Sequence, residues 1–432
     1  MRRPLNLSVA SQQINEPDHP VNLCSVLSAC AENQRPAWQL LQQLLDDAVK
    51  QHAHEIHIEP DEDCWRLRIK SPFAFSETRV DSTADYQLSL TQLTQHLWRS
   101  GVTSLPVRGW FEFVVAGTNW LLQLDIVPSA RGDTFMITLL RPAKNPPPRL
   151  ETLALSRAQQ AQVRTIVHED LGLVLLASDL KQPRLQTARA LIQDIVAPDK
   201  KIVCADNPGH PLLPRTTQLT VDIPPTAAQQ HAWTAMCQLG CNAIVACQPL
   251  NDDLDRQLVR HASKDTLVIQ GLDVDNAADA VDRMLSSGVR SEALARTLNA
   301  IVVQRQVRCI CRYCRQSQVP DDDGTAWLAE HSPIKAGNVT DWLRHRMRSS
   351  FSQAKGCDRC HETGYGDVLD IYDIVLIDDA VRDALYDTDV RYALLLLREQ
   401  TTLATHLLNL AQEGIISLTE AVRVAPLNAS ND

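Results

Sequence analysis

Apolar positions repeat with two different periods along this chain, and the change of period divides it. Trp38, Leu40, Leu41, Leu44, Leu45 and Ala48 recur at helical spacing. Glu55–Glu59 and Trp65–Ile69 alternate, which predicts strands, and further strands are predicted at about 110–116, 119–127 and 134–140. This stretch reads as an α+β domain with a small sheet. From about 155 to 300 the pattern changes. Leu171–Ala177 is a continuous apolar run, and Lys201–Cys204, Asn242–Ala246 and Thr266–Ile269 are similar. Strands buried on both faces read this way. With amphipathic helices between them they predict a parallel α/β sheet with crossover helices. Residues 380–424 read as two or three amphipathic helices, with Leu394–Leu397 as helix core.

These patterns set the expected domain limits. Residues 1–36 are polar and weakly periodic, a mobile N-terminal tail, and 37–141 are the α+β domain. A linker over 142–150 carries three consecutive prolines, Pro146–Pro148, which favour extended polyproline II. The α/β domain spans 151–304, a cysteine-bearing module 305–375 and C-terminal helices 376–432. A length of 432 residues suits two or three domains, and 44% apolar with 22% charged residues is a globular composition. The net charge of −10 argues against a dedicated nucleic-acid binder. No apolar run approaches the roughly 18 residues of a membrane span, and no signal-type segment follows Met1-Arg2-Arg3. A cytoplasmic protein is expected, reaching a membrane only through partners.

Among the 12 cysteines, four form paired knuckles: Cys311 with Cys314, and Cys357 with Cys360. Two C-x-x-C knuckles supply four thiolates, the ligand set of a closed tetrahedral zinc site with no position open to substrate. A structural zinc is therefore expected, with Cys309 and His361 as neighbours of the site. The remaining cysteines sit in mostly apolar contexts, as reduced cytosolic thiols do. On the strand at 55–59, His57 and Glu59 share a face, and the reading favoured there is an ordinary contact of the fold. Asp252, Asp253 and Asp255 read as a solvated acidic turn.

In a doubly wound domain ligands bind beyond the carboxyl ends of the strands, so the turn after Val174–Leu176 is where a nucleotide would sit. It reads Ala177-Ser-Asp-Leu-Lys-Gln-Pro-Arg-Leu-Gln-Thr187, which is not a phosphate-binding loop. Other segments nevertheless resemble, in order and over most of the chain, the traffic ATPases of type II secretion and type IV pilus assembly. Ala53–Pro60 resembles that family's A-S-D-I-H-I-E-P, Leu105–Gly109 its L-P-x-x-G, and Pro128–Asp133 its P-T-x-x-G-E. Ala295–Arg308 and Gly356–Tyr365, with Ile371–Ile374, resemble the segments around its two cysteine pairs, and Glu413–Arg423 its C-terminal helix. The resemblance implies a RecA-like core behind an α+β N-terminal domain, with the cysteine quartet as a zinc module.

It also exposes what differs. The family's G-P-T-G-S-G-K-T motif aligns without a gap on Ser178–Leu185. Ser178, Lys181 and Pro183 stand at glycine positions, Arg184 at the lysine, and Leu185 at the hydroxyl that would bind Mg²⁺. Glycines let backbone N–H groups converge on phosphate; proline has no N–H, and leucine cannot ligate a metal. Thr187 follows in the same segment, and Ser178, Lys181, Arg184, Leu185 and Thr187 together mark a degenerate nucleotide position whose Lys181 and Arg184 keep charge for weak phosphate attraction without turnover. In the aligned Walker B segment Asn242–Asn251, Gln248 replaces the glutamate that would polarise water. Asp206-Asn207-Pro208 replaces Glu-Asp-Pro, and Asp273 replaces a histidine. Arginines of the first domain fall on Gln123, Thr134 and Thr138; Pro72 and Phe73 replace an Asp-Gly turn, and Trp110 an arginine. Backbone cradle, metal ligand, base and charge clamp are lost together. The expectation is a chain with structural zinc and without ATP–Mg²⁺ turnover: an accessory or regulatory subunit of a secretion or pilus machine. It would assemble, homo- or hetero-oligomerically and as a hexamer if it follows the family, with an active ATPase and inner-membrane platform components. A divergent slow ATPase and a zinc-stapled scaffold are the alternatives.

Overall fold

A computed structural model describes residues 21–22, 35–51, 53–62, 64–71, 75–81, 107–115, 118–140, 147–206, 212–220, 227–238, 240–264, 266–331 and 351–425. They fall into two compact units, divided after Pro142. In the first unit, helix α1 (Arg35–Lys50) precedes strands β2 (Glu55–Pro60), β3 (Cys64–Lys70), β4 (Phe75–Asp81), β5 (Val107–Val115), β6 (Thr118–Ser129) and β7 (Gly132–Leu140). The sheet order is β1-β5-β6-β7-β2-β3-β4, where β1 is Val21–Asn22. Within the stretch expected to be a mobile tail, β1 thus pairs in parallel with Phe111–Glu112; the other neighbours in this sheet are antiparallel. The predicted periods carry the packing. Leu41, Leu44, Leu45 and Ala48 of α1 meet Ile56, Ile58, Leu67, Phe111, Phe113, Leu124 and Ile137 in one apolar core. Each of the leucine, isoleucine and phenylalanine side chains, fully buried, contributes about 1.5–3 kcal/mol.

The second unit holds β8 (Gly172–Ala177), β9 (Ile202–Asp206), β10 (Thr216–Thr220), β11 (Ala243–Ala246), β12 (Leu267–Leu272), β13 (Leu298–Ile310) and β16 (Tyr365–Leu376). Their order is β10-β9-β11-β12-β8-β13-β16, parallel except for β16, which runs antiparallel to β13. Successive residues of β8 explain its unbroken apolar run. Leu173, Leu175 and Ala177 join the core on one face, whereas Val174 and Leu176 join that on the other. Helices α2 (Arg157–Val167) and α3 (Lys181–Ile195) cover the second face with Val163, Ile166, Ala188, Leu191 and Ile195. The first face is covered by α4 (Ala227–Cys237), α5 (Asp252–Ala262), α6 (Ala277–Ser286) and α7 (Ser291–Thr297).

A hairpin-like pair, β14 (Arg315–Gln318) and β15 (Phe351–Ala354), and helix α8 (Asp322–His331) lie between β13 and β16 in sequence. The C-terminal region forms four short helices rather than two or three: α9 (Asp379–Tyr386), α10 (Val390–Gln400), α11 (Leu403–Gln412) and α12 (Leu418–Val424). Asp378, Asp389 and Ser417 each accept a hydrogen bond from a first-turn N–H, which stops and restarts the chain there. In the Leu394–Leu397 run, Leu397 is buried and Leu395 is exposed. No helix among the described residues is long and apolar enough to cross a membrane.

Candidate functional site

Beyond the carboxyl end of β8 the chain turns through only Ser178, Asp179 and Leu180 before α3 begins at Lys181. In the sequence the segment from Ala177 to Thr187 reads as the turn after this strand; the helix instead occupies five of the eight positions aligned with the phosphate-loop motif, 181 to 185. The local chemistry accounts for this. With no glycine to bend the backbone outward, α3 starts early. Pro183 falls in its first turn, where an N–H has no intrahelical partner and its loss costs nothing. Ser178 Oγ accepts from Leu180 N–H at 3.3 Å and closes the turn on itself.

The side chains point inward. Leu185 is fully buried and packs with Val174 and Leu176 in the core beneath the sheet. Thr187 is buried too, its hydroxyl 2.8 Å from Gln304 Oε1 and 3.0 Å from the Tyr372 hydroxyl. Burial pushes the Tyr372 phenol well above its usual range. The Arg184 guanidinium has no exposed surface. It donates to Ser178 O at 2.6 Å, Leu272 O at 2.9 Å and Cys247 O at 3.3 Å, and it pairs with Asp273 at 2.6 Å. Those carbonyls lie at the ends of three neighbouring parallel strands, β8, β12 and β11. Gly271 makes this passage possible: a Cβ there would stand 2.7 Å from Cys247 O and 3.0 Å from Arg184 Cδ. The groups converging here are acceptors around a cation, the reverse of a phosphate cradle, in which donors converge on an anion.

The other aligned positions behave alike. Asp206, at the end of β9, is buried against the equally buried Arg189 of α3 and accepts from Gln218 at 3.1 Å. Gln248 is buried just after β11, and Asn251 caps α5, accepting from Leu254 N–H. Asn207, Pro208, Pro72, Phe73 and the side chain of Lys181 lie outside the described residues. In the first unit Trp110, Gln123 and Thr138 face one another across β5, β6 and β7, and Gln123 donates to Asp125, which Arg108 also holds at 2.5 Å. Thr134 lies opposite Val127. His57 approaches Glu55 at 3.5 Å, while Glu59 pairs with Arg68, so the two do not act as a pair.

The reading of Asp252, Asp253 and Asp255 as a solvated turn fails at Asp255. The three open helix α5, and the Asp255 side chain is fully buried. It accepts from Gln270 and lies 3.4 Å from Arg283. Burial pushes its carboxyl up to about 6, more than Arg283 and Gln270 pull it down. The sequence signal was available: Asp255 falls one turn into an amphipathic helix, on the apolar side with Leu254 and Leu258.

The cysteine quartet is the second constellation. Cys311 follows β13, Cys314 precedes β14, and Cys357 and Cys360 lie between β15 and β16. All four Sγ atoms lie within 4.8 Å of one another. Cys311–Cys357 is 4.0 Å, Cys314–Cys360 3.8 Å and Cys357–Cys360 3.7 Å. A tetrahedral Zn–S distance of about 2.3 Å requires S···S of about 3.8 Å, so the donor set fits that ion. Burial alone would raise the Cys360 thiol, but the N–H groups of Gly364 and Cys357, each 3.2 Å from its sulfur, bring it down to about 7. Gly364 takes φ +78°, and a Cβ there would stand 2.4 Å from Ala354 Cβ. Neither Cys309 nor His361 belongs to the quartet.

Comparison with known proteins identifies the family. A family model described as Type II/IV secretion system protein matches residues 30–235 and 256–423. Type II secretion system protein E of Dickeya dadantii is 22% identical over 398 residues, 91% of this chain and 76% of that protein. Its counterpart in Klebsiella pneumoniae is 24% identical, over 91% and 77% of the two chains. The type IV pilus assembly ATPase PilB of Thermus thermophilus is 22% identical over 82% of this chain, which spans only 38% of PilB. Among solved structures, the ADP-bound pilus retraction motor PilT superposes with TM-score 0.53 at 15% identity, covering 89% of this chain and 96% of PilT. The Legionella pneumophila ATPase DotB gives 0.56 at 14%, covering 89% and 95%. These structural likenesses concern the fold. The family match, which spans both units, shows that the chain belongs to the Type II/IV secretion system protein family, the secretion and pilus traffic ATPases.

Proposed function

We propose that this chain is a catalytically inactive accessory or regulatory subunit of a type IV pilus or type II secretion machine, acting through assembly with other subunits. One observation carries the reading. The segment aligned with the phosphate loop is a helix whose arginine is buried among strand-end carbonyls and whose Leu185 lies in the core. Phosphoryl transfer needs a donor cradle, a bound Mg²⁺ and an oriented water. Ser178, Arg184, Leu185 and Gln248 supply none of these as placed. In the same reading the quartet of Cys311, Cys314, Cys357 and Cys360 holds a structural zinc, and 151–304 is a RecA-like core that keeps its architecture without turnover. The partners are a catalytically intact relative, in a mixed or stacked ring, and inner-membrane platform components.

The test is capture of the tagged chain from its native cells. Co-purification of a traffic ATPase with an intact phosphate loop, whose turnover changes when this chain is added, supports the proposal. Recovery of the chain without any such relative, together with no effect on a purified one, overturns it.

A further inference from the structure

Arg184 and a second arginine tie together elements that in a nucleotide-binding domain are held by the ligand. Arg305 of β13 is nearly buried and pairs with Asp275, and it lies 4.0 Å from Asp179. Asp179 sits in the turn after β8, and Asp273 and Asp275 follow β12. The two arginines therefore bridge the turn, the end of β12 and β13. We propose that these contacts are a built-in clamp, in which side chains of this chain take the place of a nucleotide and hold the strand ends in one arrangement. The inference concerns conformation, and it stands whether or not the accessory role is correct.

The physical case rests on polarity. A fully buried guanidinium is costly unless its donors are met. Through Nε and Nη1 Arg184 meets three carbonyls and a carboxylate, each carbonyl at a different strand end, while its Nη2 is buried with no hydrogen-bond partner among the described residues. Moving any one of those strands breaks a hydrogen bond to a buried charge. The carboxylates themselves are about half exposed, so each ion pair alone is modest; the hydrogen-bonded burial of Arg184 is the stronger element. Gly271 adds a steric requirement, since any side chain there would meet the guanidinium stem.

Hydrogen exchange of the full chain, read on peptides covering 172–185 and 266–276, tests the clamp. In the wild-type protein these peptides are protected, and millimolar Mg-ATP adds no protection. Asp273→Asn with Arg305→Gln accelerates exchange there by about tenfold, while strands at 118–140 stay protected. Gly271→Ala, and Arg184→Lys, which keeps the charge without the fork, shift the same peptides in the same direction. Unchanged exchange in all three variants overturns the clamp, as does a strong gain of protection on adding nucleotide to the wild type. Failure of the accessory reading alone would show elsewhere, as recovery of the chain from native cells without any intact relative, and would leave the exchange result untouched.

Discussion

Asp255 and Glu420 are both fully buried carboxylates, and their surroundings drive them in opposite directions. Asp255 is raised to about 6 by burial. Its folded form therefore binds a proton more tightly than the unfolded chain, and its contribution to stability is present at low pH and lost as pH rises through about 6. A rise of this size corresponds to about 3 kcal/mol. Asp255→Asn should gain stability relative to wild type between pH 4 and 7 by roughly that order, measured as the difference in urea midpoints. A constant difference across that range would contradict the assignment. For Glu420, burial is outweighed by hydrogen bonds from Arg423 and from Arg308, whose Nε lies at 2.7 Å, so its carboxyl is held down. Its contribution is present above the unfolded carboxylate range and lost in acid. Glu420→Ala leaves Arg308 facing an empty site and should cost about 3 kcal/mol at neutral pH, seen as a lower urea midpoint. Composition alone cannot separate these two carboxylates; Arg423 is three residues from Glu420, but Arg308, Arg283 and Gln270 come from distant segments.

At the scale of elements, the strands were the most legible part of the chain. Leu171–Ala177 reads as a doubly buried strand because both faces of the sheet are apolar, and its side chains divide between two cores. Helix α3 was less legible. Its early start follows from missing glycines, but the inward turn of Arg184 depends on Gly271, nearly ninety residues away, and on the ends of three strands. The knuckle spacing announced the cysteine quartet, while its place at the ends of β13 and β16 needed the topology. Asp373 was not singled out. It sits on β16, nearly buried, and accepts from the Thr402 hydroxyl at 2.7 Å and backbone N–H at 3.1 Å, holding the start of α11. Asp373→Ala should lower stability by about 2 kcal/mol and speed exchange in 401–412. Cys357→Ser should release the metal, measured as about one zinc per chain falling to none. It should speed exchange over 305–318 and 351–375 and leave 172–177 protected. A variant that keeps its zinc, or a metal-free protein of equal thermal stability, would contradict the zinc assignment.

At the scale of the molecule, the chain belongs to the secretion and pilus traffic ATPase family and shares the fold of its solved relatives. On the reading proposed above, an arginine bound to its own backbone stands where the phosphates would sit. The resemblance of flanking segments was readable because those segments build the scaffold. The positions aligned with the nucleotide site were readable only as substitutions, and how they fit together needed the fold: Arg184 at the lysine position pairs with Asp273 at the histidine position. The account as a whole turns on absence of turnover. The most direct measurement is phosphate release by the purified, zinc-loaded chain with millimolar Mg-ATP, beside the same chain carrying Arg184→Lys. The account predicts no release above background in either. Steady release by the wild-type chain that the substitution abolishes would contradict it.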